Sequence, residues 1–133
     1  MPLDAAAVGR WFEEYFDLFG ACARGDREMS ALLGSYSVPM IVTSDAGAIS
    51  LMTDDEAAAV IESQIDALRA QGYHHTTVLH SEVTLLNSTS ALYRCTLSRR
   101  NAGGTEIGCP AITYVVTEDV AGPRIVLLAA QGQ

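Results

Sequence analysis

Two side chains near the middle of the chain are spaced so that they could act together as an acid and a base. His80 and Glu82 are separated by one residue, and in a β-strand that spacing puts both on the same face. Because imidazole titrates near neutral pH, such a pair could move a proton. The polar positions of this run, however, form a regular alternate set that is more typical of an outer sheet face or a dimer interface. That set is Val78, His80, Glu82 and Thr84, and the apolar set between them is Leu79, Val83 and Leu85.

Asp45 is a further candidate base, but its neighbours favour a structural role. It stands two residues before Gly47, and aspartate is common in turns of this composition. The adjacent pair His74 and His75 lacks further ligands at a spacing that would complete a metal site. The three cysteines form no C-x-x-C motif. We therefore predict no metal and no cofactor.

The elements that must hold these side chains begin with helices. A broad stripe of apolar residues at helical spacing predicts a first helix over residues 4–23, buried on more than one side. A short second helix is predicted over residues 27–33, with Asp26 as its cap. The segment Thr53-Asp54-Asp55-Glu56 is a capping box that begins a third helix, which ends at Gly72. We expect burial of Trp11, Phe16 and Ile65.

Strand patterns fill the rest of the chain. Residues 36–52 alternate as a hairpin with a turn at residues 45–47, and Pro39 places its strand at a sheet edge or a bulge. Four further runs, at residues 74–86, 91–100, 105–118 and 124–130, are joined by short turns and should pair antiparallel. The segment Gly108-Cys109-Pro110 predicts a bulge. This order indicates one α+β domain over residues 1–133, with three helices packed on the concave face of a strongly curved, mixed or antiparallel sheet.

Composition excludes several classes of protein. The chain has 133 residues, of which 49% are hydrophobic and 18% charged, so a folded core rather than disorder is expected. The net charge of −8 argues against nucleic acid or an anionic membrane as a partner. The absence of lysine excludes Schiff-base chemistry. An acidic N-terminus without a leader pattern and an odd number of cysteines favour the cytoplasm.

Taken in order, these features resemble the nuclear-transport-factor-2-like superfamily over nearly the whole chain. The resemblance rests on the aromatic start Trp11-Phe12-Glu13-Glu14-Tyr15-Phe16, the Gly25-Asp26 break, the hairpin around Pro39, the helix end Ala70-Gln71-Gly72-Tyr73, and the late pattern Ala91, Arg99-Arg100-Asn101, Gly104, Tyr114, Gly122 and Arg124-Ile125. It implies a cone-shaped, cystatin-like fold with a pocket between sheet and helices, and dimers formed through the sheet. Members include ketosteroid isomerases, polyketide cyclases of the SnoaL type, limonene epoxide hydrolase, dehydratases and many proteins without a known activity.

The resemblance assigns trial roles to three positions. The isomerases place a tyrosine on the first helix that donates to a developing oxyanion, and Tyr15 matches it; a core tyrosine is the alternative, and the apolar stripe favours it. Their basic aspartate falls here on Ser44, or on Asp45 if the register slips by one. Their second donor, a protonated aspartate, falls near Tyr114, which can still donate. Because the pattern is broken, a ketosteroid isomerase is not expected, and the Asp-Arg-Asp set of the hydrolase is not evident.

We therefore expect a mostly apolar cavity under the first helix, lined by Trp11, Tyr15 and Tyr114, that takes a small apolar ligand. The leading hypothesis is a non-catalytic ligand-binding or dimerisation module of the SnoaL-like type. The alternative is an isomerase, cyclase or hydrolase for an apolar cyclic substrate, with Tyr15 and Tyr114 as hydrogen-bond donors. Its candidate catalytic residues are Tyr15, Asp45, His80 and Tyr114. A homodimer is expected through the open sheet face that carries Val78, His80 and Thr84, because helices cover only one face.

Overall fold

A computed structural model describes residues 3–131, and the order of its elements agrees with the sequence pattern. Helices α1, α2 and α3 pack against one seven-stranded mixed sheet that does not close into a barrel. The elements are α1 (Ala5–Arg24), α2 (Met29–Leu33), β1 (Tyr36–Ser44), β2 (Gly47–Leu51), α3 (Asp54–Ala70), β3 (Tyr73–Asn87), β4 (Ser90–Asn101), β5 (Glu106–Gly108), β6 (Ala111–Asp119) and β7 (Gly122–Gln131).

The ends of the two long helices follow from local chemistry. Thr53 and Glu56 form the predicted capping box, in which each side chain accepts from the backbone N–H of the other residue at 3.1 Å. Asp4 caps α1 by accepting from the Ala7 N–H at 2.8 Å. Gly25 ends α1 with a φ of 83°, a conformation that glycine adopts without a steric cost.

The prediction for α2 was wrong at its start. The helix begins at Met29 with Glu28 as its N-cap, and no side chain caps it. The Asp26 carboxylate instead accepts from Arg24 Nε at 3.1 Å. The ion pair across the end of α1 takes the place of the expected cap.

The sheet has the strand order β2-β1-β7-β6-β4-β3, and β5 pairs with β4. The hairpin and the antiparallel pairing of the later strands are confirmed, and β1 runs parallel to β7. Pro39 lies inside the sheet at a register shift in the β1–β7 pairing, so of the two predicted positions the bulge is correct. The predicted strand over residues 105–118 is interrupted at Cys109 and Pro110, where Pro110 offers no amide proton, and both of its parts, β5 and β6, pair with β4.

The core lies between α1, α3 and the inner face of the sheet. The Phe12 ring stacks on Tyr93 of β4 with centroids 4.0 Å apart, and Ile65 and Phe16 are buried as expected. Trp11 is the exception, because it is only half-buried. Its indole stacks on Tyr15 one helical turn away, with centroids 5.7 Å apart, and this position leaves one side of the indole open to solvent.

Two helices are joined at one end by an arginine. Arg69 of α3 donates to the last carbonyl oxygens of α1, from Nε to Ala23 at 2.7 Å and from Nη2 to Cys22 at 2.9 Å. A cation at the C-terminus of a helix also interacts favourably with the helix dipole. The contact therefore fixes α3 against the end of α1.

The burial difference between neighbouring aromatics gives a direct test of this packing. Phe12 has no exposed surface, so Phe12→Ala should lower the free energy of unfolding by about 3–5 kcal/mol, whereas Trp11→Ala should cost only about 1–2 kcal/mol. Urea unfolding followed by circular dichroism would measure both. An equal loss for the two variants would contradict the placement of α1.

Candidate functional site

The predicted cavity lies beneath α1, on the inner face of the sheet. Its walls are mostly aromatic and aliphatic, and three polar side chains stand among them. About 10 Å³ is open to the centre of a water-sized sphere, which is room for about one water molecule. The lining residues are Tyr15, Phe16, Phe19, Gln64, Thr76, Leu97, Arg99, Tyr114 and Leu128.

Three tyrosine side chains meet beside this cavity, and two of them, Tyr15 and Tyr114, line it. Tyr15 comes from the third turn of α1, Tyr36 from the first position of β1, and Tyr114 from the middle of β6. The hydroxyls of Tyr15 and Tyr36 share a hydrogen bond of 2.5 Å, and the Tyr114 hydroxyl also faces that of Tyr15. All three side chains are buried. We call this set the tyrosine cluster.

Burial decides the protonation state of the cluster. It raises the pKa of Tyr15 to about 12, although the hydrogen bond with Tyr36 opposes the rise. Burial also raises the pKa values of Tyr36 and Tyr114 well above 10, and the neighbouring Tyr15 adds to both increases. The three phenols are therefore neutral at physiological pH, and each carries one proton.

Counting protons shows what the cluster offers a ligand. Within the cluster the hydroxyls of Tyr15 and Tyr36 share one hydrogen bond, in which one of the two phenols donates its proton. Three protons are present, so at least one O–H remains to donate beyond the cluster. The cavity is where an acceptor oxygen would meet it.

The candidate bases lie elsewhere in the described part of the chain. Asp45 sits in the exposed turn between β1 and β2, next to Ser44, whose hydroxyl accepts from the Ala46 N–H at 3.2 Å. Neither Asp45 nor Ser44 lines the cavity. Within residues 3–131, no carboxylate and no imidazole lines it.

His80 and Glu82 share a face, as their spacing predicted, but that face is the outer one. His80 Nε2 lies 3.8 Å from Glu82 Oε2, and both side chains are more than half exposed. Val78 does not share this face. The β3–β4 register shifts between Val78 and His80, so an extra residue at Leu79 turns Val78 inward against the core.

Trp11 is also outside the cavity. It lines a separate surface groove beside α1, together with Glu14, Leu18 and Ser35, on the other side of Tyr15. The prediction that Trp11 lines the same pocket as Tyr114 is therefore wrong. The cause is the stacking on Tyr15, which holds the indole at the side of the helix.

Two residues of the site were not recognised from the sequence. Arg99 follows Cys95 and Leu97 in the alternate set of β4 that faces inward, so its position could have been found from the spacing. Tyr36 begins β1, and its burial depends on the parallel pairing with Ile125 of β7. The sequence of β1 alone carries no signal of that pairing.

The Cys95 thiol belongs to the inward-facing set of β4 and is buried. Burial raises the pKa of Cys95 to about 12, and its Sγ–H donates to the Ile112 carbonyl at 3.5 Å, so this thiol is inert at neutral pH. Across residues 3–131 no group of three or more histidine, cysteine, aspartate or glutamate side chains could hold a metal ion. None of the helices described for this chain is long and apolar enough to cross a membrane.

Comparison with known proteins identifies the fold. Residues 5–133 match the family described as NTF2-like protein (DUF6841). No curated protein sequence matches the chain significantly. The family match confirms the resemblance that the sequence pattern indicated.

Solved structures agree with this assignment. A protein of unknown function with a cystatin-like fold from Nostoc punctiforme is 13% identical, with a TM-score of 0.76 over 100% of this chain and 96% of its own. An NTF2-like protein with a cystatin-like fold from Novosphingobium aromaticivorans is 22% identical, with a TM-score of 0.64 over 96% of this chain and 86% of its own. A proposed dehydratase of the NTF2-like family from Streptomyces avermitilis is 14% identical, with a TM-score of 0.71 over 98% and 96%. At these identities the likeness shows the fold.

Alkaline titration tests the burial of the phenols. All five tyrosines have a raised pKa, so tyrosinate absorbance at pH 10 should be much lower in the folded protein than in urea. Because the folded state holds the Tyr15 proton more tightly, its contribution to stability is full below pH 10 and is lost between pH 10 and about 12. The loss is about 3 kcal/mol for a rise from 10 to about 12.

The variant Tyr15→Phe provides the comparison for this titration. Its free energy of unfolding, measured in urea, should fall less steeply above pH 10 than that of the wild type, because one ionisable phenol is gone. Tyrosinate that forms near pH 10 while circular dichroism still shows a folded chain would contradict the buried cluster.

Proposed function

We propose, from the premise that the chain belongs to the NTF2-like family DUF6841, that it is a non-catalytic binding protein for a small cyclic molecule with an acceptor oxygen. One observation carries the proposal. The cavity combines apolar walls with a cluster of neutral phenols that has at least one spare O–H, and the described residues that line it include no base. Such a site binds and orients an oxygen but has nothing to take a proton from carbon or water.

The shape of the cavity defines what would enter. Phe16 and Phe19 offer ring faces to a flat apolar molecule, and Tyr15 and Tyr114 lie where its oxygen would point. Because the space is that of about one water molecule, a ring enters only if the half-buried Gln64 and Arg99 swing outward and the aromatic walls separate. Burial of the ring then supplies affinity, and the hydroxyl cluster supplies orientation.

The enzyme alternative is less well supported by the same geometry. An isomerase, cyclase or hydrolase that used Tyr15 and Tyr114 as donors would also need a general base within hydrogen-bond reach of its substrate. Asp45 and His80, the candidates from the sequence, are both exposed and distant from the cavity lining. The Streptomyces protein is a proposed dehydratase, and at 14% identity that activity is not carried over.

A second copy of the chain is the partner we propose for the outer sheet face. Helices cover only the inner face, and the outer positions of the central strands are apolar or small. They include Ile41, Leu92, Val115, Leu127 and Ala129. Glu82 and Arg94 stand opposite each other in the β3–β4 register on this face, so it carries both signs of charge and can be complementary to itself.

Three free cysteines support the cytoplasm as the location.

Ligand affinity in a matched pair of variants tests the binding proposal. Acetophenone, which has a carbonyl oxygen, should bind the wild type more tightly than ethylbenzene, which has none. Tyr15→Phe should weaken acetophenone by roughly 5- to 150-fold, the equivalent of about 1–3 kcal/mol for a lost buried partner, and leave ethylbenzene unchanged. Amide chemical shifts followed during titration give both dissociation constants.

The control is Tyr93→Phe. The Tyr93 hydroxyl is near Ser81 and does not line the cavity, so this variant loses a buried phenol O–H without changing the site. Its affinity for acetophenone should equal that of the wild type. Equal acetophenone affinity in the wild type and in Tyr15→Phe would overturn the proposal and leave Tyr15 as a packing residue.

The mass in solution tests the dimer. Light scattering at micromolar concentration should give twice 14.2 kDa, and Val115→Asp on the outer face should give a folded monomer, because a buried carboxylate would oppose association. A wild type with the mass of one chain would remove the dimer proposal.

A further inference from the structure

One side chain at the cavity mouth carries a charge that nothing in the cavity balances. Arg99 continues the inner set of β4, so its side chain enters the cavity lining from the sheet. Beside it stand Thr76, its partner in the β3–β4 register, and Gln64 of α3. Arg99 is the only charged residue among those described that line the cavity.

Three other arginines make contacts within the chain that Arg99 does not make. Arg100 donates from Nε to the Ser98 hydroxyl and from Nη1 to the Gly104 carbonyl, each at 3.0 Å. Arg24 pairs with Asp26, and Arg69 caps α1. Among residues 3–131, by contrast, no carboxylate lies within 4.0 Å of the Arg99 guanidinium.

Arg99 is one of several arginines with no carboxylate within 4.0 Å, and among those described it is the one that lines the cavity. The net charge is −8, so carboxylates are abundant, yet none has been placed against Arg99. A half-buried cation without a counter-ion is less well solvated than one in water, and an anion that enters the site would recover that loss. The positive charge also favours the ionised forms of Tyr15, Tyr73 and Tyr114, so its field extends through the cavity.

We propose that the ligand of this cavity is a carboxylate whose anionic group binds the Arg99 guanidinium at the mouth, with its ring directed inward between the phenylalanines. The proposal rests on the binding function proposed above and adds the charge of the ligand. A planar guanidinium matches a carboxylate with two parallel N–H···O bonds. The Gln64 amide and the Thr76 hydroxyl are the neighbouring groups able to donate to it.

The expected ligand is therefore singly charged and amphipathic. A single guanidinium balances one negative charge, and the apolar walls formed by Phe16, Phe19, Leu97 and Leu128 exclude a ligand that is polar throughout. An aromatic or alicyclic acid meets both conditions. A second oxygen at the far side of its ring would reach the spare O–H of the tyrosine cluster.

Benzoate and benzamide separate the role of charge from that of shape. They have nearly the same size, and only benzoate is an anion at neutral pH. The wild type should bind benzoate at least about tenfold more tightly, and Arg99→Gln should remove that preference while benzamide affinity changes by less than about twofold. Amide chemical shifts measured at low salt give all four dissociation constants.

Two further variants make the result specific to this side chain. Arg10→Gln removes the same charge from an exposed position on α1 and should leave the benzoate preference unchanged. Arg99→Lys keeps the charge without the planar fork and should retain part of the preference, which also provides a readout if Arg99→Gln does not fold. Thermal unfolding followed by circular dichroism checks each variant.

The outcomes separate the two proposals. If benzoate and benzamide bind equally and Arg99→Gln has no effect, while acetophenone still binds in a Tyr15-dependent way, the carboxylate proposal is overturned and the binding function remains. If none of these probes binds the wild type, both proposals are overturned. A benzoate preference that persists in Arg99→Gln and is lost in Arg10→Gln would place the anion outside the cavity and overturn the assignment to Arg99.

Discussion

The burial of three phenol hydroxyls beneath α1 is the constraint on which the rest of the structure depends. A buried hydroxyl without a partner costs about 1–3 kcal/mol, so Tyr15 must meet another polar group as α1 packs on the sheet. It meets Tyr36, the first residue of β1, at 2.5 Å. Tyr36 is held in turn by the parallel pairing of β1 with β7. The Tyr15–Tyr36 hydrogen bond thus fixes the position of α1 relative to β1 and β7, which are neighbours in the sheet but far apart in the sequence.

The fold could be predicted because its signals are local. The Thr53–Glu56 capping box, the helical stripe of α1 and the alternation in the hairpin each specify an element from a few neighbouring residues. Val78 was misassigned because a bulge adds one residue to a strand, and alternation in the sequence does not show where that happens. The parallel β1–β7 pair was not foreseen for a similar reason, since it joins segments that are distant along the chain.

The candidate site was less predictable than the fold. Tyr15 and Tyr114 were found because the family resemblance assigned them roles, and the structure places both among the core residues. Arg99 lies in the same kind of pattern, but arginine at the end of a strand is usually a surface residue, so the residue type gave no sign of its place in the cavity. Trp11 shows the opposite error. It was expected to be buried because it lies on an apolar stripe, but its indole stacks on Tyr15 and is only half-buried. In both cases the direction of one side chain decided its role.

The cavity has hydrogen-bond donors and no base among its described lining residues, and this shows which part of its chemistry comes from side chains and not from the fold. The same curved sheet and helices can enclose different side chains, and the chemistry follows from those side chains rather than from the backbone. Here the neutral phenols and one guanidinium can recognise oxygen atoms, whereas proton abstraction would need a group that the described lining does not include. The described residues of this family member thus form a cavity between sheet and helices, and the side chains that line it can bind an oxygen atom by hydrogen bonds.

The irregular register of β3 has a consequence for the behaviour of the protein at high concentration. β3 is a 15-residue strand at the edge of the sheet, and it exposes Leu79, Leu85 and Leu86. A long, flat, apolar edge of this kind would be a template for the strand-by-strand growth of fibrils. The pairing of β3 with β4 shifts at three places along its length. Each shift bends and twists the free edge, so a second strand meets continuous register only over short stretches such as residues 80–85, which works against pairing along the whole of β3.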